Sequence, residues 1–167
     1  MSFTALHVAL SLVAIGSGVI VVFGLLTARR FDSWTAIFLT TSVLTSASGF
    51  GFPFHELLPS HVVGALSLLV LVVAIFARYG GHLSGGWRSI YVIAAVVALY
   101  FNVFVLVVQA FLKVPALNAV APTQSEPPFV ATQLVVLAGF LAIGVMSVLR
   151  FRKSAESAPT PGLADRT

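Results

Sequence analysis

Five apolar stretches, separated by short polar or proline-rich segments, fill most of the 167-residue chain. Each is near or above the roughly 20 residues that a helix needs to cross the hydrocarbon core of a bilayer. A backbone in lipid has to satisfy its own hydrogen bonds, which favours helices over open sheets. The pattern therefore predicts an all-α, polytopic transmembrane helix bundle with five spans, at about residues 4–28, 34–52, 61–77, 87–112 and 129–149.

The segments outside the apolar stretches predict one membrane domain, residues 1–153, and a tail. Residues 154–167 are rich in Ser, Ala and Pro and contain little to bury, so we predict a disordered cytoplasmic tail there. The first stretch has no preceding Lys or Arg and is too long for a signal-peptide core, so we expect it to be retained. Four prolines between Val114 and Pro128 predict an extended connector rather than a helix.

The basic residues fall almost entirely on one side of a five-span bundle. If the spans alternate in direction, loops one and three and the C-terminal end share a side, and the opposite side holds only Lys113. Positive charge near span ends marks the cytoplasmic side. We therefore predict an outer N-terminus and a cytoplasmic C-terminus. The predicted cytoplasmic basic residues are Arg29, Arg30, Arg78, Arg88, Arg150, Arg152, Lys153 and Arg166.

Composition supports a membrane location and excludes several kinds of chemistry. Hydrophobic residues make up 59% of the chain and charged residues 8%, against about 25% charged residues in soluble domains. The absence of cysteine excludes disulfides, thiolate metal sites and thiol nucleophiles. The net charge of +4 reports orientation in the membrane, so we expect the lipid bilayer, not nucleic acid, as the surrounding partner.

Small and polar residues form stripes on three of the predicted helices. His7, Ser11, Ala14 and Gly18 share one face of the first span. The second span carries Ser and Thr from Thr41 to Ser48, and the fourth has Asn102, Gln109 and Lys113 on one stripe. Such residues avoid lipid tails and let helices approach closely, so we expect these stripes to face the bundle interior.

The predicted topology gathers polar residues at the outer face, although they are distant in sequence. Imidazole and carboxylate groups are ligands for Zn, Cu or Fe, which makes four of these residues candidate metal ligands. Those candidates are His7, His55, Glu56 and His61. Further polar candidates at the same face are Gln109, Lys113, Glu126 and Gln133.

Known catalytic motifs do not fit the chain. His55 and Glu56 begin like a metalloprotease HExxH motif, but Pro59 occupies the position of the second histidine and would break the required helix. Phosphate-binding loops and nucleophile elbows are also lacking in the sequence. Apart from Arg88 at the start of the fourth, no Asp, Glu, Lys or Arg lies inside a predicted span, where secondary transporters commonly place ionisable residues near the midplane. We therefore assign no catalytic residue and no enzymatic activity.

Two segments carry a resemblance to other proteins. QAFLKVPALNAVAPTQSEPPF, at Gln109–Phe129, and GFGFPFH, at Gly49–His55, resemble a family of small multi-span proteobacterial inner-membrane proteins of unknown function. The resemblance implies a multi-pass location in the bacterial inner membrane, with the outer face in the periplasm. It implies no cofactor or substrate.

Two functional hypotheses follow from the sequence. The first is a small integral membrane protein without catalytic activity, acting through a membrane-protein partner or as a homo-oligomer. The alternative is a redox or metal-binding protein that holds haem or a transition metal at the periplasmic face. His7 and His61 are predicted at similar depth, which would suit axial ligation of haem.

Overall fold

The regular elements of the protein are all helices in the part that the computed structural model describes, residues 2–51 and 59–156. This confirms the predicted all-α class. In chain order the helices are α1 (Phe3–Leu26), α2 (Asp32–Gly49), α3 (Pro59–Ile75) continued by a π-helical turn (Phe76–Gly80), α4 (Trp87–Lys113), α5 (Pro115–Val120) and α6 (Pro127–Glu156).

Four helical segments are long and apolar enough to cross a membrane. These are Phe3–Leu26, His61–Gly80, Trp87–Lys113 and Pro127–Phe151. The second predicted span is also helical, as α2. Its many Ser and Thr residues keep its mean hydropathy below that of the four apolar segments. The described part of the chain thus contains four apolar candidate spans, the more polar helix α2 and the six-residue helix α5.

Local chemistry explains where the helices begin and end. The hydroxyl of Ser2 accepts a hydrogen bond from the Ala5 amide at 3.2 Å and caps α1. Asp32 places a negative charge in the first turn of α2, and Lys113 a positive charge in the last turn of α4. Both charges complement the helix dipole. The helix α4 ends at Lys113. The next residue, Val114, precedes Pro115 and has an extended backbone, because steric contact with the proline ring disfavours the helical conformation there.

The predicted extended connector from Val114 to Pro128 is wrong in two places. Pro115 begins the short helix α5, and Pro127 begins α6. Proline is tolerated at the first position of a helix, where its missing N–H has no intrahelical acceptor. Pro115 and Pro127 therefore mark helix starts in this segment, which a rule that treats proline only as a helix breaker does not predict.

The predicted boundaries at Arg78 and at the tail also change. The π-helical turn extends the third predicted span from Ala77 to Gly80, so Arg78 lies buried in a helical segment rather than in a loop. The helix α6 continues to Glu156, past the predicted start of the tail at 154. Residues 157–167 lie outside the described residues, as do 52–58 between α2 and α3.

Helices α1 to α4 pack in a ring, each antiparallel to its neighbours, and α6 lies against α4 and α1. We call the two ends of this bundle the His7 end and the Arg78 end. At the His7 end α1 begins and α2 finishes, as the contact between His7 and Ser48 shows. At the Arg78 end the side chain of Arg78, at the close of the third span, meets Asp32 at the start of α2.

The centre of the ring is held together by close packing around Gly18. A Cβ atom at this position would lie 2.7 Å from Leu99 Cδ1 and 2.8 Å from Phe38 Cε2. Both neighbouring side chains are buried, so neither has room to move away. Gly18 therefore allows α1, α2 and α4 to meet at one point, as small residues do in membrane bundles.

We expect Gly18→Val to destabilise the bundle by about 1–3 kcal/mol, the usual cost of overpacking a core. Gly16→Val is the matched control on the same helix, because a Cβ atom at Gly16 meets no other atom within 4 Å. Thermal unfolding in detergent measures both. Equal unfolding midpoints for the two variants would show that α1 does not pack as described.

The Arg78 end of the bundle is closed by a buried cation and its partners. The Arg78 guanidinium forms an ion pair with the Asp32 carboxylate and lies 5.4 Å from the centre of the Tyr91 ring. The Tyr91 hydroxyl lies 3.5 Å from the Thr35 hydroxyl. Apolar side chains of α1, α2 and α4, including Leu25, fill the space next to this group.

Candidate functional site

A cavity of about 590 Å³ lies between α1, α2, α3 and α4 at the His7 end of the bundle. Pockets that bind a small organic molecule usually measure roughly 300–1,000 Å³, so the cavity has the volume of a single ligand. It extends from Thr4 and Lys113 at the end of the bundle inward to Ile15, Ser67 and Asn102.

One wall of the cavity, which we call the polar wall, consists of Thr45, Ser46, His61, Ser67 and Asn102. Hydrogen bonds between helices hold its deeper part. The Ser46 hydroxyl donates to the Ser67 hydroxyl at 3.1 Å, which joins α2 to α3. The Asn102 amide donates to the Ser42 hydroxyl at 3.1 Å, which joins α4 to α2. Ser46, Ser67 and Asn102 therefore already have partners, and their hydrogen bonds hold this deeper part of the polar wall together.

His7 lines the cavity in an orientation that a serine fixes. Its Nδ1 lies 2.8 Å from the Ser48 hydroxyl, and that hydroxyl donates its one proton to the Thr45 carbonyl at 3.0 Å. This contact joins α1 to α2 and fixes the orientation of the imidazole ring. A hydrogen bond at one ring nitrogen orients the other for binding, as second-shell partners do for metal-bound histidines.

His61 lines the same cavity from the first turns of α3. It is buried, and its ring centre lies 5.9 Å from that of Phe50. Phe50 can approach because Gly64 has no side chain: a Cβ atom there would lie 3.3 Å from Phe50 Cε2. The close contact of Phe50 with Gly64 thus brings the Phe50 ring next to His61 on this side of the cavity.

The opposite wall, which we call the apolar wall, is formed by Val8, Leu12, Ile15, Phe101, Val105 and Leu106 of α1 and α4. Three of these side chains remain substantially exposed, Val8 at 43%, Leu12 at 56% and Leu106 at 42%. Side chains that line a cavity and are also exposed border an opening. The cavity is therefore open to the side of the bundle at the apolar wall. Polar groups bound it on the opposite side.

Three polar groups on the cavity surface have unused hydrogen-bonding capacity. The Thr45 hydroxyl is buried and has no hydrogen-bond partner within the described ranges. Among the described residues, nothing forms a hydrogen bond or ion pair with the Gln109 amide or the Lys113 ammonium. Buried polar groups in proteins are nearly always paired, so a bound ligand or water is expected at Thr45.

The structure brings together four of the eight residues predicted at the outer face. His7, His61, Gln109 and Lys113 all line the cavity. His55 and Glu56 lie outside the described residues.

Glu126 and Gln133 have other roles. The Glu126 carboxylate accepts hydrogen bonds from the Thr123 amide and hydroxyl at 3.1 and 2.9 Å, just before α6 begins. Desolvation raises the pKa of Glu126, but these bonds and one from the Ser125 amide outweigh it and lower the pKa below its ordinary value. Gln133 is buried between α6 and α4, where its amide donates to the Phe104 carbonyl at 3.2 Å.

The metal prediction rests on two residues in the described part of the chain. His7 and His61 both face the cavity, but the described ranges contain no group of three or more His, Cys, Asp or Glu side chains placed to hold a metal ion. Two histidines suffice for axial ligation of haem, because the porphyrin supplies the remaining ligands.

On α3 the sequence predicted His61 but not Gly64 or Ser67, and it did not predict the closure of the opposite end of the bundle. His61, Gly64 and Ser67 lie three residues apart, which places them on one helical face, and this spacing would have identified the face. The ion pair between Asp32 and Arg78 joins residues 46 positions apart, so no local pattern reveals it.

Comparisons with known proteins identify no relative of this chain. The chain matches no sequence family, and no curated protein or solved structure is significantly similar to it.

Proposed function

We propose that the protein is a five-span inner-membrane bundle that binds one amphipathic small molecule in its outer half. The single observation that carries the proposal is the cavity of about 590 Å³ with a polar wall and an apolar wall. Ligand sites are typically concave and mostly apolar, with a few well-placed polar groups. A molecule with a polar and an apolar part would satisfy both walls.

The proposal of five spans depends on α2. Its 18 residues give a length of about 27 Å at ~1.5 Å per residue, close to the ~30 Å of the hydrocarbon core. It lies beside α1 from the contact of Gly24 with Phe31 to the contact of His7 with Ser48. Its exposed large side chains are apolar, namely Trp34, Ile37 and Leu44. Four of its hydroxyl side chains are buried, Thr35, Ser42, Thr45 and Ser46, whereas Ser33 and Thr40 are exposed. A helix with large apolar side chains outside and most of its hydroxyl groups inside fits a span in the bundle.

The topology is testable because the chain lacks cysteine. Under the proposed orientation, a thiol introduced as Ser2→Cys reacts with a membrane-impermeant reagent added to spheroplasts, whereas one introduced as Ser84→Cys reacts only after lysis. Ser84 lies in the exposed turn between the third span and α4. The reverse pattern would invert the orientation. Reaction of both positions from outside would remove one span.

Binding of an amphiphile is testable by photolabelling of the protein in lipid nanodiscs. The probe is hexadecanol carrying a diazirine on its chain. We expect labelled residues to concentrate on the apolar wall, at Val8, Leu12 and Leu106, and unlabelled hexadecanol to suppress that labelling. Label spread evenly over all lipid-facing helix surfaces, without competition, would refute the proposed binding function.

Binding of haem by His7 and His61 is the second candidate function. It is favoured by the positions of His7 and His61, which both line the cavity, and by the hydrogen bond at Nδ1 of His7, which fixes the orientation of that ring. Under this candidate, protein mixed with haemin shows a low-spin Soret band that His7→Ala and His61→Ala each abolish. Gln133 is buried away from the cavity, so the control Gln133→Ala should leave the band unchanged. If the variant that carries both His7→Ala and His61→Ala gives the same spectrum as the natural protein, this candidate is ruled out.

Association with a membrane-protein partner, or of several copies of the chain, stays a prediction from the sequence. The exposed side of α6, with large apolar side chains such as Leu134, Leu141 and Val145, suits lipid and protein surfaces equally. The cavity does not depend on such association, because its lining residues in the described part of the chain come from α1 to α4 and from Phe50, which directly follows α2.

A further inference from the structure

The described surface of the cavity carries positive charge and no negative charge. Among the described residues that line it, Lys113 is the one permanently charged side chain, and none is Asp or Glu. Lys113 is exposed at the mouth of this largely apolar cavity, where its ammonium can form a charge-assisted hydrogen bond with an anionic partner.

Gln109 and Lys113 form a matched pair of donors at the mouth of the cavity. They are one helical turn apart on α4, so their side chains lie on the same face. The carboxamide offers two N–H donors and the ammonium three, and among the described residues none of these is engaged in a hydrogen bond or ion pair. Such a pair can bind one anionic oxygen group.

The amount of charge distinguishes a carboxylate from a phosphate. One lysine balances a single negative charge, whereas a phosphate monoester carries about −1.5 to −2 near neutral pH. Phosphate groups are also commonly bound by arginine in a bidentate geometry. The described cavity surface contains no arginine. A carboxylate is therefore the anion that this surface fits.

We propose, on the basis of the cavity function above, that the ligand is a long-chain carboxylate. Its head group is bound by Lys113 and Gln109 at the outer mouth. Its hydrocarbon chain lies along Val8, Leu12 and Leu106, where the cavity is open sideways. The exposure of this wall lets a chain enter from the outer leaflet without crossing the polar groups, so the surrounding lipid supplies the ligand directly.

The test compares two head groups on the same chain. Protein in zwitterionic nanodiscs is photolabelled with the diazirine-bearing hexadecanol, and unlabelled hexadecanoate or hexadecanol competes. We expect hexadecanoate to compete at concentrations about tenfold lower than hexadecanol, the equivalent of one charge-assisted hydrogen bond. Lys113→Gln should remove this preference and keep labelling by the alcohol, while Lys113→Arg should retain it. Arg29→Gln, an exposed cation near the Arg78 end, is the control for net charge.

Each outcome separates the two proposals. Equal competition by the acid and the alcohol in the natural protein, or a preference that survives Lys113→Gln, overturns the carboxylate assignment and leaves the binding cavity standing. Loss of the preference in Arg29→Gln as well would show a general surface-charge effect and overturns it too. Failure of any amphiphile to label the apolar wall overturns both the carboxylate and the cavity function.

Discussion

Ser11→Phe is expected to lower the affinity of the cavity for its ligand on the order of 100-fold, which corresponds to about 2.8 kcal/mol. Ser11 lies on the cavity surface, and its hydroxyl donates to the His7 carbonyl of its own helix at 2.8 Å. The change therefore breaks no hydrogen bond between helices and places a ring where the ligand would lie. Photolabelling with the diazirine-bearing hexadecanol, followed by competition, measures the loss.

Gly16→Phe is the matched control for the cavity-filling variant. It introduces the same ring on the same helix at an exposed position, where a Cβ atom meets nothing within 4 Å. We expect unchanged labelling of the apolar wall and an unchanged unfolding temperature. If Ser11→Phe labels as strongly as Gly16→Phe, the ligand does not occupy the cavity.

Asp32→Ala is expected to destabilise the bundle by about 3 kcal/mol, more than Arg78→Met does. The two partners differ greatly in burial, since the Arg78 side chain is 6% exposed and that of Asp32 is 67% exposed. Removal of Asp32 leaves a buried guanidinium without its counter-charge. Removal of Arg78 leaves a carboxylate that water can solvate, which costs about 1 kcal/mol as for exposed pairs.

A double-mutant cycle isolates the contribution of the pair. In the Arg78→Met background, Asp32→Ala should cost only about 0.3–1 kcal/mol, its share of the α2 helix dipole. Thermal unfolding in detergent gives all four stabilities. If Asp32→Ala costs the same in both backgrounds, the carboxylate does not support the buried arginine, and the closure of the Arg78 end has another cause.

The helices were predictable because each apolar stretch is long enough to span a bilayer and little else satisfies a backbone in lipid. Even the polar second stretch formed a helix close to its predicted bounds, as α2. The boundaries failed where one residue type has two roles. Proline disrupts a helix interior but suits a helix start, which is how Pro115 and Pro127 are used here.

The candidate site was predictable only as a set of residues at one end. Alternation of spans placed His7, His61, Gln109 and Lys113 at the same depth, and all four line the cavity. Gln133 was predicted at the same depth, but it is buried between α4 and α6 instead. Depth follows from topology, but the direction of a side chain around its helix depends on which neighbours pack against it.

The empty space itself has no signature in the sequence. It exists because α1 and α4 meet closely at Gly18 and Leu99 and separate toward the His7 end. Hydroxyl groups that suggested helix packing in the sequence do connect helices, as the bond between Ser46 and Ser67 shows. They also form one wall of the cavity, so packing and binding roles coincide in the same side chains.

Reaction of single cysteines with a membrane-impermeant thiol reagent tests the outer cavity most directly. Ser11 and Val13 lie at nearly the same depth on α1, but Ser11 lines the cavity and Val13 is exposed outside it. A thiol reacts as thiolate, which forms in water and not in hydrocarbon. The cavity predicts that Ser11→Cys reacts from outside at least about tenfold faster than Val13→Cys, and that hexadecanoate slows the reaction. Equal rates at the two positions, unaffected by hexadecanoate, would contradict it.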